Sequence, residues 1–129
     1  MRTLVKDVMT ANVAAVEVDT SVRAVADLLD ARKISAVPVV DASCHVVGVV
    51  SEADVLHHRF TGSTAGSIMS SPAITVLADQ TADVAAESMD KNCVKRLPVV
   101  DDLGRLVGIV SRSDLIHAYA RGTLPNVNV

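Results

Sequence analysis

Between Val22 and Arg32 the apolar residues Val22, Val25, Ala26, Leu28 and Leu29 recur at helical spacing, with Arg23, Asp27 and Asp30 on the other side. That period predicts an amphipathic helix. Asp19-Thr20-Ser21 supplies N-cap residues ahead of it, and the pattern stops near Arg32–Lys33. The period then changes. Ala36–Val40 and Val46–Ser51 are near-continuous apolar, β-branched runs joined by the polar stretch Asp41-Ala42-Ser43-Cys44-His45. Such runs predict two strands in a hairpin, buried on both faces. A closing helix is expected over 53–59, with Ser51 at or just before its N-cap, and an extended segment over 13–18 comes before the first helix.

The same succession then recurs. An extended segment over 73–78, a helix over 82–92 capped by Gln80-Thr81, strands over 96–100 and 106–111 around Asp101–Arg105, and a helix over 113–120 are expected. Val5–Met9 and Ala65–Met69 read as short helical lead-ins. A gapless shift of sixty positions lays Met9 on Met69, Val16 on Val76, Pro38-Val39-Val40-Asp41 on Pro98-Val99-Val100-Asp101 and Gly48 on Gly108. It also lays Ser51 on Ser111, Asp54 on Asp114 and His57 on His117, giving 15 identities between 5–60 and 65–120. Self-similarity at a fixed period marks an internal repeat. The expected organisation is one repeat over 5–60, a small polar linker over 61–66, a second repeat over 65–120 and a flexible tail over 121–129. Duplication implies a pseudo-twofold axis and two equivalent clefts.

Composition narrows the function classes. Half of the 129 residues are apolar, but only 2% are aromatic, and the net charge is −3. Stacking platforms for bases and a basic footprint are both missing, so no nucleic-acid partner is expected. The longest apolar run, around Val46–Val50, is far too short to span a bilayer, and the first residues lack the apolar core of a signal peptide. Cys44 and Cys93 form no CxxC pair and fall at non-equivalent repeat positions, which reads as reduced thiols in a soluble, cytoplasmic protein.

Pro38-Val39-Val40-Asp41 … Val47-Gly48-Val49-Val50-Ser51-Glu52-Ala53-Asp54 resembles the CBS domain, the module named after cystathionine β-synthase. Leu97-Pro98-Val99-Val100-Asp101 … Gly104-Arg105-Leu106-Val107-Gly108-Ile109-Val110-Ser111-Arg112-Ser113-Asp114-Leu115 resembles it more closely still. The resemblance covers about residues 5–120. It implies an α/β (α+β) fold of two tandem β-α-β-β-α units packed through their sheets as a Bateman module. It implies no catalysis and no obligatory cofactor. In many members AMP, ADP, ATP or S-adenosylmethionine binds in the clefts between the repeats and signals occupancy to a partner. Members commonly form disc-like homodimers.

Ser-x-x-Asp at a strand-to-helix junction suits such a ligand. Unpaired N–H groups at the helix start favour phosphate, and a serine hydroxyl adds a hydrogen bond. The acceptor-only carboxylate three residues on suits vicinal ribose hydroxyls. Ser51 with Asp54 and Ser111 with Asp114 are therefore the leading candidates, although the same pattern also describes an ordinary helix cap. The resemblance places the adenine against Ala15-Val16 with Ala36-Val37-Pro38 in one cleft, and against Thr75-Val76 with Arg96-Leu97-Pro98 in the other. Pro38 and Pro98 imply edge-like positions that need no N–H. Gly48 and Gly108, inside strands, read as close backbone approaches, as easily a fold requirement as a ligand contact, and are left out of the site.

The clefts differ in charge: Lys95, Arg96 and Arg112 in the second repeat stand where the first has Ser35, Ala36 and Glu52. Asp54 and His58 share a helix face without a third ligand, so no metal is expected. No P-loop, GxGxxG or base–nucleophile signature is present, so no enzyme is expected. The alternative is a CBS pair with empty clefts that dimerises or docks an unknown protein partner.

Overall fold

A computed structural model describes residues 2–61 and 63–122; Gly62 of the expected linker and positions 123–129 of the expected tail lie outside the described residues. The helices begin where cap chemistry allows. Helix α1 covers Val5–Val8, and α2 covers Val22–Arg32 with Ser21 Oγ accepting the Ala24 N–H at 3.0 Å. Their counterparts in the second repeat are α4, Ala65–Ile68, and α5, Ala82–Asn92. Thr81 occupies the N-cap of α5 without a side-chain bond, while Gln80 Oε1 accepts the Leu77 N–H at 2.8 Å. α2 and α5 both end in a left-handed residue, Lys33 at φ 53° and Cys93 at φ 55°. The closing helices are α3, Glu52–His58, and α6, Arg112–Ala120.

The strands are β1 (Val16–Glu17), β2 (Ala36–Val40), β3 (Val46–Ser51), β4 (Val76–Leu77), β5 (Arg96–Val100) and β6 (Leu106–Ser111). They form two three-stranded sheets, β1-β2-β3 and β4-β5-β6, so the fold is mixed α+β in two tandem repeats. β1 runs parallel to β2 and β2 antiparallel to β3, and the second sheet repeats this register residue for residue. Burial on both faces holds only for the central strands: four successive residues of β2 and of β5 are buried. The outer strands β3 and β6 instead alternate, burying only Gly48 and Val50, or Gly108 and Val110.

Each hairpin is closed by its first residue. Asp41 Oδ1 accepts the N–H groups of Ser43 and His45, and Asp101 Oδ1 those of Leu103 and Arg105, all at 2.9 Å. The backbone N–H of His45, and that of Arg105 in the second copy, hold these two carboxyls below the usual carboxylate range. The left-handed turn position is Cys44 in one hairpin and Gly104 in the other.

The compact units do not follow the sequence repeats. One unit is Ala14–Ala73; the other joins the segment up to Val13 to the chain from Ile74 onward. In the first, Ala65 and Ile68 of α4 join Val16, Val22, Val25, Leu29, Val37, Val39, Val50 and Val55 in the core. Ala65, the start of the expected lead-in, is fully buried, its N–H donates to Thr20 O at 2.7 Å, and the Gly66 N–H donates to Val18 O at 2.8 Å. In the other unit, Val5 of α1 is fully buried with Val76, Ala82, Ala85, Met89, Leu97, Val99, Val110 and Leu115. Each lead-in helix therefore closes the core of the repeat it does not precede.

The lead-ins explain the strand glycines. Residues after each lead-in lie along the outer strand, Thr10 bridged to Ile109 and Ser70 to Val49. A Cβ on Gly108 would lie 2.7 Å from Met9 Sδ and 2.8 Å from Thr10 O; one on Gly48 would meet Met69 Sδ at 2.5 Å and Ser70 O at 2.8 Å. Methionine can give way but a ladder-bound carbonyl cannot. Gly108→Ala should therefore destabilise the protein by about 1–3 kcal/mol through overpacking. Denaturant unfolding checks this, and a loss inside the roughly 0.5 kcal/mol of a neutral surface change would contradict it.

Candidate functional site

β3 runs directly into α3 and β6 into α6, so Ser51 and Ser111 are extended residues at helix starts, with ψ of 168° and 166°. That conformation makes each serine an N-cap. Ser51 Oγ accepts the Asp54 N–H at 3.2 Å while Asp54 Oδ2 accepts the Ser51 N–H at 2.9 Å. Ser111 and Asp114 repeat both bonds at the same distances. The ordinary cap is thus realised in both copies. The reciprocal bonds still leave the serine O–H proton and the second carboxylate oxygen without a partner among the described residues. Those are a donor and an acceptor, held about one helical turn apart or less on a rigid junction. The junction is also tied to the strand before it: the Glu52 N–H donates to Ser35 O and the Arg112 N–H to Lys95 O, both at 2.9 Å.

The period of a strand divides the other candidates. Residues opposite each other in a ladder share a face. Ala36 is opposite Ser51, and Pro38 opposite Val49, while Val37 is opposite Val50 and Val16 beside Val39. Ala36, Pro38 and Ser51 therefore share one face of their sheet. Val16 and Val37 lie on the other, inside the apolar core at 6% and 0% exposure. In the other unit Arg96, Pro98 and Ser111 share a face, whereas Val76 and Leu97 belong to the core at 2% and 1% exposure. The side chains of Val16, Val37, Val76 and Leu97 fill the interior, so these residues can offer a ligand only backbone. Ala15, exposed, and Thr75, half-buried, precede the paired residues of β1 and β4.

Pro38 and Pro98 stand in central strands, a correction to the edge position expected from sequence. Their tolerance has a local cause. Val49 exchanges both backbone hydrogen bonds with Ser70, and Ile109 with Thr10, so neither residue needs an N–H from the proline opposite. On the other side of each central strand, β1 and β4 begin only opposite Val39 and Val99. Neither neighbour demands the missing donor.

The charge difference survives in three dimensions. Lys95 and Arg112 are exposed and Arg96 is half-buried, where the first repeat has exposed Ser35, half-buried Ala36 and exposed Glu52. His57 and His58 stack edge to face at 4.7 Å. Among the described residues no group of three or more His, Cys, Asp or Glu is placed to hold a metal. Also among them, no helix is long and apolar enough to cross a membrane.

The sequence did not reveal that the lead-ins pair with the outer strands just before each junction, Thr10 with Ile109 and Ser70 with Val49. A hydroxyl after methionine in both copies was the available signal. What it lacked was any indication of which sheet each lead-in joins.

Comparison with known proteins agrees with this fold. The CBS domain family matches residues 5–60 and again 65–121. The chain is 31% identical to CBSX2 in complex with AMP, with a TM-score of 0.87 over 92% of this chain and 97% of the other; CBSX2 comes from Arabidopsis thaliana. It is 30% identical to the CBS domain pair of protein MJ0100, in complex with 5′-methylthioadenosine and S-adenosyl-L-methionine, with a TM-score of 0.81 over 91% of this chain and 99% of that one. It is also 31% identical to a homoserine O-acetyltransferase of Methanosphaerula palustris over 93% of this chain. The chain spans only 25% of that enzyme's length.

Proposed function

We propose, from the premise that the chain belongs to the CBS domain family, that it is a non-catalytic regulatory module binding an adenine-containing ligand. The observation that carries this reading is the near-complete match, at 31% identity, to a CBS pair in complex with AMP. A second relative of similar identity is in complex with 5′-methylthioadenosine and S-adenosyl-L-methionine, and the adenosyl group common to these ligands supports the reading. In this reading Asp54 and Asp114 accept from ribose hydroxyls through the oxygen the cap leaves over. Ser51 and Ser111 donate toward the 5′ substituent. Ala36 with Pro38, and Arg96 with Pro98, border the base, assisted by backbone at Ala15, Val16, Val37, Thr75, Val76 and Leu97.

The site of Ser111, Arg112 and Asp114 favours phosphorylated ligands, because guanidinium pairs well with phosphate while Glu52 in the other copy repels it. Signalling to a protein target and self-association belong to the same proposal. Leu56 at 60% and its repeat equivalent Ile116 at 66% exposure support a protein contact at each closing helix. The two free, exposed cysteines support a reducing, cytoplasmic setting.

The test is thermal unfolding with AMP, ADP, ATP and S-adenosylmethionine. A ligand specific for the folded state, at 100 times its Kd, stabilises by about 2.7 kcal/mol and must raise Tm. No shift with any of them would favour the alternative of empty clefts and a purely dimerising or docking module.

A further inference from the structure

The two lead-ins make the same backbone contact through side chains of opposite size. The Lys6 N–H donates to Ala78 O at 3.0 Å, and sixty positions on the Gly66 N–H donates to Val18 O at 2.8 Å. A Cβ on Gly66 would lie 2.5 Å from Val18 Cγ1 and 3.1 Å from Val18 O. Lys6 carries a Cβ at the equivalent contact and tolerates the carbonyl there, so the valine methyl is the obstacle. Glycine is otherwise a poor choice inside a helix, and Gly66 is not among the left-handed residues. Space accounts for it. Charge does not distinguish the two contacts, because Lys6 pairs with Asp79 at 3.1 Å and Asp19 stands at the equivalent place after Val18.

The buried layer is inverted in the same sense. Val5 of α1 shares its core with Ala82 and Ala85, whereas Ala65 of α4 shares its core with Val22 and Val25. These six are repeat-equivalent positions, and all are buried. A large lead-in residue thus accompanies small helix residues in one unit, and the sizes are exchanged in the other. We propose that side-chain volume keys each lead-in to one unit: α1 fits only the unit from Ile74 onward, and α4 only Ala14–Ala73. Moving α1 into the first unit would drive Lys6 into Val18 and overfill the core at Val5. Moving α4 into the second would leave gaps at Ala65 and Gly66. Overpacking and cavities both destabilise, so the duplicated chain closes well in one arrangement. A lead-in from a second copy could replace only its own counterpart. Such a key is a device against the alternative that the internal repeat itself creates.

The experiment is denaturant unfolding of the full chain for wild type, Gly66→Ala, Gly66→Lys and Val18→Ala, and for each Gly66 change combined with Val18→Ala. Val18 is 40% exposed, so trimming it opens little cavity. In the wild-type background each Gly66 change should shift the unfolding equilibrium roughly ten-fold toward the unfolded chain. With Val18→Ala present, the same changes should cost less than about two-fold or stabilise, since alanine and lysine are better helix formers than glycine. Residues that do not touch would give additive effects instead. No loss in the wild-type background would overturn the key. Equal losses in both backgrounds would overturn it too, because the obstacle would then not be the valine side chain. If a Gly66 variant alone fails to fold, folding of its double variant supports the key, and failure of the double variant overturns it.

Discussion

Leu97→Ala should be the most damaging single substitution at any candidate site residue, lowering stability by about 2–5 kcal/mol. Leu97 is 1% exposed on the central strand β5, opposite fully buried Val110 and within the core of Met89, Val99 and Leu115. No polar or charged residue is buried among the described residues, so the cavity has only apolar walls and no means to hydrate. The loss is the transfer energy of the removed carbons plus the cavity left between strand and helix. Val37→Ala, at the equivalent position, removes less side chain and should cost less. Denaturant unfolding with a shared m-value checks the order. If Leu97 supplies no side chain to the ligand, calorimetry on the folded fraction should also find adenosyl affinity near wild type. A loss under about 1 kcal/mol would mean that the core repacks freely around the gap.

Asp114→Ala carries the second large effect, split between folding and binding. Its Oδ2 holds the Ser111 N–H, so losing the cap partner should cost about 0.5–2 kcal/mol of stability. Its other oxygen is the proposed ribose acceptor, and losing a charged acceptor should weaken nucleotide binding roughly ten-fold or more. Asp114→Asn separates the two, since the amide oxygen can still cap while the charge is gone. It should melt close to wild type and still bind weakly. Calorimetry that finds unchanged affinity in both Asp54→Ala and Asp114→Ala would remove the ribose role and leave these carboxylates as caps alone.

The local pattern was sufficient for the elements because their causes are local. Helical spacing from Val22, N-cap chemistry at Ser21 and Ser51, and β-branched runs at 36–40 and 46–51 each act within a few residues, and the sixty-residue repeat supplied a second reading of every one. The Ser-x-x-Asp junction was legible for the same reason: cap, strand end and helix start are contiguous. The extended segments came out shorter than their pattern, since only Val16–Glu17 and Val76–Leu77 find a strand to pair with.

Tertiary structure decided what depends on distant partners. Val37 and Leu97 looked like a ligand wall, but strand register turns them into the core and leaves Ala36, Pro38, Arg96 and Pro98 on the other face. Pro38 fits a central strand only because Val49 bonds Ser70. Above all, the apolar residues of the lead-ins predict that they are buried, but not where. By hydrophobicity Val5 and Ile68 would satisfy either core, and only packing sends each to the repeat it does not precede, pairing Thr10 with Ile109 and Ser70 with Val49. Hydrophobic burial is non-directional, so a sequence can specify that a face is covered without specifying what covers it.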